Sequence, residues 1–398
     1  MGTPAQDVRL QIDTGSSDLW VNTPTSSLCE EGDNPCASAG TYSANSSSTY
    51  AYVGSWFNIS YVDGSGASGD YATDTVTVGS STVDSLQFGI GYTSSSSQGI
   101  LGIGYPENEA QVGTAGKSSY DNLPAALVSS SQISRNAYSL WLNDIDANSG
   151  SILFGGVDTD QYTGSLSTLP IQANGGVYSE FLITLTSISL SNTTIQDSMA
   201  LAVLLDSGSS LSYLPDSIAN SIFNKVGAEY DPDSESAYVP CSIADSSSKM
   251  AFDFSGVKIS VPMDELVLDI DDRLKFSNGE AACLFGIAPA GTSTSVLGDT
   301  FLRSAYVVYD IANNQISLAQ TNFNATSTNV VAIPTGSSIP DATTVANPIA
   351  ATDGVSSDSD STTRVDNAAP APGEMVSSAV LLATLLAAGS ALFTTALL

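Results

Sequence analysis

The sequence predicts an all-β protein that is built from two similar β-rich lobes, with few short helices. A duplicated motif carries this prediction, because the segment Asp13–Ser17 (DTGSS) returns nearly unchanged as Asp206–Ser210 (DSGSS). Each copy is followed, at a similar spacing, by an apolar pair and a glycine, Ile100–Gly102 in the first half and Val296–Gly298 in the second. A chain of 398 residues is long enough for two lobes with separate cores. Two copies of one lobe, each supplying one aspartate, are the economical interpretation.

Strands are predicted where apolar and polar residues alternate. In residues 8–13 a strand would bury the apolar side chains and present the terminal aspartate on its other face. Residues 71–78 and 181–185 also read as strands, separated by Gly, Asn and Ser turns. Two segments instead indicate short helices, Leu123 to Ser130 and Asp216 to Val226.

With these motifs in place, the chain resembles the pepsin-like aspartic endopeptidases over about residues 2 to 322. In that family each lobe supplies an Asp-Thr/Ser-Gly motif and a downstream apolar-apolar-Gly segment, and the active-site cleft lies between the lobes. Three further stretches fit the family: Asp18–Val21, the glycine-rich Tyr61–Gly66, and Val296–Arg303. A single Asp-Thr-Gly is a weak signal that also occurs in ordinary turns, whereas two ordered copies are far more specific.

The resemblance implies that Asp13 and Asp206 form a catalytic pair. Two carboxylates in contact cannot both ionise cheaply, so they share a proton and titrate together, and the aspartic proteases are the familiar case of this effect. The ionised member can activate water for attack on a peptide carbonyl, while the protonated member stabilises the oxyanion and later protonates the amine. This mechanism requires no cofactor and no metal. The sequence leaves open which aspartate holds the proton.

The hydroxyl residues of the two motifs have an implied supporting role. In the family, Thr14 and Ser207 would hydrogen-bond across the lobe junction and set the spacing of the aspartates. Ser16 and Ser209 would satisfy the outer oxygens of the buried carboxylates. Without the resemblance, each of these serines is equally well explained as a solvated turn residue.

The resemblance also implies a hairpin flap that covers the substrate and excludes water. Its substrate-binding residues would be Tyr61, Asp63, Gly64 and Ser65, with the Tyr61 hydroxyl facing Trp20. Taken alone, both aromatic residues are typical of a core. Val62 departs from the family pattern, which commonly has glycine after the tyrosine.

Composition excludes several classes of function. The chain has no histidine, which rules out Ser-His-Asp triads, Cys-His dyads and His-ligated zinc. Its formal net charge of −31, with only ten Lys and Arg, argues against nucleic acid or an anionic membrane surface as a direct partner. The general interpretation of this charge is solubility in acid. A sharper hypothesis is an electronegative cleft that prefers Lys or Arg beside the scissile bond, through Glu30, Glu31, Asp33 and Asp63.

Four cysteines are present, with no Cys-x-x-Cys pair that would indicate a metal or redox site. The resemblance implies the disulfides Cys29–Cys36 and Cys241–Cys283, and hence an oxidising secretory compartment. Sequons for N-glycosylation agree with this compartment, although such triplets arise often by chance in a Ser/Thr-rich chain. They lie at Asn45, Asn58, Asn192 and Asn324.

We expect four segments along the chain: a first lobe (1–165), a second lobe (166–323), a Ser/Thr-rich stalk (324–367) and a C-terminal signal (368–398). The lobe junction is placed near Gly164 to Pro170. Residues 324–367 contain no aromatic residue, so we expect no core there. Such a segment is either a frayed disordered tail or an O-glycosylated stalk.

The C-terminal signal matches a glycosylphosphatidylinositol (GPI) attachment signal. Residues 376–398 carry no charge and are long enough to span a bilayer, but the basic anchors that usually follow a transmembrane helix are missing. A run of small residues that begins at Asn367 and a polar spacer precede this tail. Asn367 is our first choice for the attachment site and Gly373 the second. Removal of residues 368–398 would leave a protein held by GPI at the plasma membrane or in the cell wall.

The first residues contain no secretion signal. They also lack an N-myristoylation site, because Gln6 occupies the position that takes Ser or Thr. Disulfides and a GPI signal require entry into the secretory pathway. We therefore expect an incomplete chain or a misplaced start, with a signal peptide, a propeptide and part of the first strand upstream.

Together these features resemble the yapsin-type, cell-surface aspartic proteases of fungi. We expect a monomeric aspartic endopeptidase that cleaves peptides or proteins at the cell surface. One alternative is a catalytically silent pepsin-like module that binds a partner at the surface or wall. A purely structural Ser/Thr-rich wall protein is the third possibility, but it does not explain the duplicated motifs.

Overall fold

The computed structural model describes residues 1–147, 149–270, 274–356 and 394–397. This part of the chain consists of β-sheets with a few short helices, as the sequence predicts. The first-half strands are β1 (Leu10–Asp13), β2 (Leu19–Asn22), β3 (Ala51–Ser60), β4 (Gly66–Val78), β5 (Ser81–Ser94), β6 (Gly99–Gly102), β7 (Ala137–Trp141), β8 (Ser151–Phe154), β9 (Gly156–Asp158) and β10 (Tyr162–Pro170).

The remaining strands are β11 (Leu182–Leu185), β12 (Ser187–Leu190), β13 (Thr193–Gln196), β14 (Leu201–Leu205), β15 (Ser212–Leu214), β16 (Glu229–Asp231), β17 (Ser236–Pro240), β18 (Lys249–Phe254), β19 (Val257–Pro262), β20 (Val267–Leu268), β21 (Ala282–Phe285), β22 (Ile287–Pro289), β23 (Val296–Leu297), β24 (Ala305–Asp310), β25 (Gln315–Thr321), β26 (Val330–Ala332), β27 (Ala342–Thr344) and β28 (Thr394–Leu397). The α-helices are α1 (Ala110–Ala115), α2 (Leu123–Ser129), α3 (Asp216–Val226) and α4 (Asp299–Leu302). Short 3₁₀ turns lie at Pro35–Ser38, Ala44–Ser46, Pro106–Asn108, Cys241–Asp245, Asp264–Leu266 and Ile311–Asn313.

The two predicted helices are present as α2 and α3. The first ends one residue earlier than predicted, and the second has the predicted bounds. Helix α3 ends at Val226 and is capped by Gly227, whose φ of 73° is a left-handed conformation that glycine adopts without steric cost. Its apolar residues Ile218, Ile222 and Phe223 recur at helical spacing and are buried, so one face of the helix packs on the core.

The motif duplication is also a duplication of sheet topology. In the first lobe β1 runs parallel to β6, in a register that places Asp13 beside Gly102. In the second lobe β14 runs parallel to β23, with Leu205 beside Leu297. In each lobe the strand after the motif then pairs antiparallel with that same partner strand, β2 with β6 and β15 with β23. Asp13 is therefore the last residue of a strand that is hydrogen-bonded inside a sheet, and Asp206 directly follows the equivalent strand.

A shared sheet joins the two halves, in the order β27-β10-β25-β24-β7-β8-β28. Strand β24 of the second half pairs antiparallel with β7 of the first, and the rings of Tyr138 and Tyr309 stack there at 5.0 Å. The predicted junction, residues 164–170, falls inside β10 of this sheet. The halves are thus connected through paired strands, which resist hinge motion better than a flexible linker does.

Residues 324–356 do not form the predicted disordered stalk. Strand β26 pairs antiparallel with β9, and β27 runs parallel to β10. Ile333 and Ile339 are buried, with 1% and 4% of their surface exposed, in a cluster that includes Trp141. The prediction is wrong here because strand pairing uses backbone groups, and two isolated isoleucines are enough to dock the chain. We call residues 330–356 the C-terminal strap.

The other C-terminal predictions fall largely outside the described residues. Asn367, Gly373 and residues 357–393 are among those that the structure does not describe. Strand β28 pairs in parallel with β8. Within the described ranges, no helix has both the length and the apolar character needed to cross a bilayer.

Candidate active site

The structure brings the two motif aspartates into contact. The side chain of Asp206 forms a hydrogen bond with that of Asp13. The close approach requires the two glycines that follow the aspartates: a Cβ on Gly15 would lie 2.5 Å from Asp206 Oδ1, and a Cβ on Gly208 would collide with Asp13 Oδ1. Glycine is therefore needed at both positions for the space it leaves to the opposite carboxylate.

A symmetric set of hydrogen bonds holds the two turns together. The hydroxyl of Thr14 donates to Leu205 O at 2.8 Å and accepts from the backbone N–H of Ser207 at 2.9 Å. The hydroxyl of Ser207 donates to Ile12 O at 2.9 Å and accepts from the N–H of Thr14 at 3.2 Å. Each hydroxyl thus links its own turn to the opposite strand, in the arrangement that the resemblance implies. Because these groups are buried, the bonds set the spacing of the carboxylates with little competition from water.

The outer oxygens of both carboxylates also have partners. Asp13 accepts from the N–H of Gly15 at 2.8 Å and from the hydroxyl of Ser16. Asp206 accepts in the same way from the N–H of Gly208 and the hydroxyl of Ser209, both at 2.8 Å. Both serines therefore lie where a supporting role requires them.

The two carboxylates differ in exposure. Asp13 is 4% exposed, whereas Asp206 is half-buried. Burial, and then the charge of the neighbouring Asp206, raises the pKa of Asp13 well above its usual range, although the hydrogen bond from Ser16 opposes this. The inner aspartate consequently retains a proton under conditions in which an exposed aspartate would be ionised.

The predicted flap is a hairpin formed by β3 and β4, which pair antiparallel up to Ser60 and Gly66. Its loop is closed by a hydrogen bond from Tyr61 N to Ser65 O at 2.8 Å, and Gly64 has a φ of 80° that a side chain would strain. At the tip, Asp63 accepts from the N–H and the hydroxyl of Ser65. Val62 is 91% exposed and takes no part in these bonds.

The flap tyrosine lies close to the carboxylate pair. Its hydroxyl accepts a hydrogen bond from Trp20 Nε1 at 2.8 Å, as the resemblance implies. Burial, and then the charge of Asp13, raises the pKa of Tyr61. The charge of Asp63 has the same effect on the pKa of Tyr213 in the second lobe, which burial already raises. The flap tyrosine thus lies beside Trp20, on the side of the site that carries Asp13.

A buried acidic cluster beneath the flap was not predicted from the sequence. Asp18 is fully buried and accepts from the hydroxyls of Tyr71 and Tyr120 at 2.6 and 3.0 Å, and from the N–H of Ala110 at 2.7 Å. Glu109 lies beside it, 1% exposed, and burial chiefly raises its pKa to about 9. The position of Asp18 directly after the first motif was the one available signal. Its partners come from remote segments that no local pattern connects to it.

Two further carboxylates near Asp206 were also missed. Burial raises the pKa of Asp299 to about 7, with Arg303 opposing the shift and Asp206 adding to it. Burial likewise raises the pKa of Glu180, where Asn174 opposes and Asp206 adds. Asp299 belongs to the segment Val296–Arg303 that supports the family resemblance, but Glu180 lies in no recognised motif.

The remaining predicted residues lie away from the carboxylate pair or on the surface. The disulfides join Cys29 to Cys36 and Cys241 to Cys283, the pairs that the resemblance implies. The first closes a loop in which the acidic side chains are exposed: Glu30, Glu31 and Asp33. All four sequon asparagines are exposed: Asn45, Asn58, Asn192 and Asn324. Among the described residues, no group of three or more His, Cys, Asp or Glu is arranged to hold a metal ion.

Comparison with known proteins agrees with this geometry. The family model described as "Eukaryotic aspartyl protease" matches residues 1–321. The "Probable aspartic-type endopeptidase opsB" of Aspergillus oryzae is 57% identical over 356 residues, covering 88% of this chain and 73% of the relative. The "Acid protease" of Saccharomycopsis fibuligera is 40% identical and covers 81% and 80% of the two chains. The "Secreted aspartic protease 8" of Candida albicans is 38% identical and covers 82% and 76%.

Among solved structures, the aspartic proteinase from Irpex lacteus aligns with a TM-score of 0.65 at 23% identity, covering 82% of this chain and 94% of that one. This likeness supports the fold. The family model spans both motifs, and the first relative is more than half identical over most of the chain. The chain therefore belongs to the eukaryotic aspartyl protease family and is an aspartic-type endopeptidase.

Proposed function

We propose that Asp13 and Asp206 hydrolyse peptide bonds with a water molecule that they activate between them. The observation that carries the proposal is the contact between the two carboxylates, in which one proton is shared because two adjacent negative charges are costly. The raised pKa of Asp13 supports it as the holder of the proton. Asp206, which is half-buried and open to the cleft, then acts as the general base.

In this mechanism the proton on Asp13 stabilises the developing oxyanion and is passed to the leaving amine. The hydroxyls of Thr14 and Ser207 hold the carboxylates at a fixed distance, so little reorganisation is needed at the transition state. Tyr61 and the rest of the flap cover the bound peptide and exclude bulk water. Both catalytic groups come from one chain, so the proposal requires only a monomer.

The mechanism is tested by cleavage of a mixed peptide library with the wild type, Asp13→Asn and Asp206→Asn. We expect cleavage by the wild type alone, with inhibition by a statine-type transition-state mimic. Thermal unfolding of both variants controls for their folding. Folded wild-type protein that cleaves no peptide, yet binds wall polysaccharide, would instead support a silent binding module.

We further propose that the enzyme enters the secretory pathway and acts at the cell surface through a GPI anchor. Two disulfides and four exposed sequons are typical of secretory proteins, and one relative is named as secreted. The composition of residues 367–398 supports the anchor, with Asn367 as the attachment site. Expressed behind a secretion signal in a fungal host, the anchored protein would be released from cells by a phosphatidylinositol-specific phospholipase. Release of the wild type without that enzyme would contradict the anchor.

A preference for Lys or Arg near the cleavage site is the last part of the proposal. The acidic loop is exposed, and Asp63 lies at the flap tip, so these charges attract cationic peptides mainly at long range. Such attraction is screened by salt. We therefore expect kcat/KM for basic peptides to fall between low and high ionic strength, while kcat/KM for neutral peptides stays constant. Equal salt dependence for both peptides would contradict the hypothesis.

A further inference from the structure

Glu180 lies beside Asp206 although it belongs to neither motif. Strands β11 and β14 pair antiparallel with Leu182 opposite Leu204, and the pairing continues to a hydrogen bond from Leu205 N to Phe181 O at 3.2 Å. The next pair in this register is Glu180 opposite Asp206. Residues that lie opposite each other in antiparallel strands project from the same face.

Burial shows where these strands become accessible. Phe181 and Leu205 are fully buried, and Leu182 and Leu204, which lie on the same strand faces as Glu180 and Asp206, are buried as well. Glu180 and Asp206 are therefore the first opposed pair in this register that is partly exposed. Both are half-buried, as expected for side chains that line a cleft.

The Glu180 side chain lies beside Asn174, whose amide opposes the effect of burial on the pKa of the carboxyl group. Asn174 is fixed by the C-terminal strap, because its Oδ1 accepts from the N–H of Ser356 at 2.9 Å and the N–H of Gly175 donates to Ser356 O at 3.2 Å. The neighbourhood of Glu180 is thus held in place before a substrate arrives.

No Lys or Arg within the described part of the chain forms an ion pair with Glu180. The ion pairs found among the described residues are Arg135 with Asp310 and Arg303 with Glu265. The nearby charge that acts on Glu180 is Asp206, which is also negative. A cationic ligand would relieve this repulsion and supply the partner that the half-buried carboxylate lacks.

We propose that Glu180 is a specificity-determining residue that binds a Lys or Arg side chain of the substrate close to the scissile bond. This inference rests on the proposed endopeptidase function, in which Asp206 marks the position of the reacting carbonyl. It differs from the general electronegativity of the surface, because one fixed carboxylate reads one substrate position. The exposed acidic loop and the flap tip Asp63 attract cationic peptides at long range, whereas Glu180 would select one substrate position.

The test uses peptides that differ only by Lys or Gln, at each of three positions on either side of one cleavage site. The assay is run at the highest pH at which the wild type stays active, where more of Glu180 is ionised. We expect the wild type to cleave the Lys peptide about tenfold more efficiently at one position. Glu180→Gln should abolish the ratio between the Lys and the Gln peptide, whatever its absolute kcat/KM, and thermal unfolding shows that the variant is folded.

Two controls and one reversal sharpen the test. Glu229→Gln removes an exposed carboxylate of the same lobe and should keep the preference, as should Asp63→Asn at the flap tip. Glu180→Lys should favour a peptide with Asp at the same position. The inference would be overturned if the preference for the Lys peptide persisted in Glu180→Gln. It would also be overturned if that preference were lost in Asp63→Asn instead. Wild-type protein that cleaves all peptides equally contradicts this inference alone, whereas protein that cleaves none contradicts the endopeptidase mechanism as well.

Discussion

At the residue scale, the site depends on two glycines that lack a side chain as much as on the two aspartates that react. Gly15 and Gly208 each leave room for the carboxylate of the opposite lobe, and the threonine and serine beside them fasten the turns. The two aspartates thereby remain in contact although repulsion between their ionised forms would separate them. The contact, rather than either aspartate alone, creates the shared proton.

The first prediction concerns the space at Gly15. In Gly15→Ala the new Cβ would lie 2.5 Å from Asp206 Oδ1, so the carboxylates must move apart. We expect kcat/KM for a peptide substrate to fall by about 100-fold, because catalysis is sensitive to displacements of about 1 Å. Gly32→Ala is the matched control, since nothing lies within 4 Å of the added atom. Full activity in Gly15→Ala would contradict the geometry.

The second prediction concerns the pH dependence of activity. The pKa of Asp13 is raised, so the active, singly protonated pair persists as the pH rises and is lost only when Asp13 ionises. The hydrogen bond from Ser16 favours the ionised form and therefore lowers this pKa. Ser16→Ala should shift the alkaline limb of the kcat/KM profile to higher pH, and Ser16→Thr should restore it. A shift to lower pH would contradict the assigned role of this hydroxyl.

At the element scale, helix α1 and the flap strands are joined by the buried acidic cluster. Asp18 links Tyr71 of β4, Ala110 of α1 and Tyr120 of the following loop, directly below Trp20 and the flap. Glu109 precedes α1 and accepts from the N–H of Tyr120 at 2.8 Å. Its other oxygen is buried without a partner among the described residues. The support of the flap thus depends on two carboxyl groups whose pKa values are raised by burial.

The third prediction follows from the pKa of Glu109, which burial raises from 4.5 to about 9. The folded state binds more protons than the unfolded state between these values, so stability is full below the lower pKa and falls as the pH rises towards the higher one. The loss approaches about 1.4 kcal/mol per pH unit for one proton. Glu109→Gln should flatten this decline in urea unfolding from pH 5 to pH 8. The exposed neighbour Glu107→Gln should leave the slope unchanged, and an equally steep decline in Glu109→Gln would refute the assignment.

How far each element could be predicted depends on the range of its determinants. Strand β1 and helix α3 carry their own periodicity and end signals, so local sequence was sufficient. Helix α4 is only four residues long and shows no period. Glu180 and Asn174 acquire their meaning only from pairing with Asp206 and Ser356, which lie far along the chain. The catalytic motif was found because its two copies repeat, and not because their contact could be foreseen.

At the scale of the whole molecule, the C-terminal strap forms backbone hydrogen bonds with the rest of the protein at several points. It pairs with β9 and β10, and Ala202 of β14, the strand that leads to Asp206, donates its N–H to Asp353 O at 2.8 Å. Ser356 of the strap donates its N–H to Asn174 Oδ1. Scattered apolar residues within a polar stretch produced this docking, which explains why composition predicted a stalk instead.

The fourth prediction tests whether the strap is an integral part of the fold. Ile333 is 1% exposed, so Ile333→Ala should lower the free energy of unfolding by about 2–5 kcal/mol. Ile349 lies on the same strap but is 47% exposed, and Ile349→Ala should change stability by less than about 0.5 kcal/mol. Denaturant unfolding of both variants measures the difference. Equal and small effects would show that the strap does not contribute to the stability of the core.

Cleavage of one peptide by the wild type and by Asp206→Asn measures most directly whether Asp13 and Asp206 act together on a peptide bond. We expect statine-sensitive cleavage by the wild type and a loss of at least about 1,000-fold in kcat for the variant, with its thermal unfolding little changed. Asp206→Asn protein that cleaves the peptide at the wild-type rate would show that the two aspartates do not act as a catalytic pair.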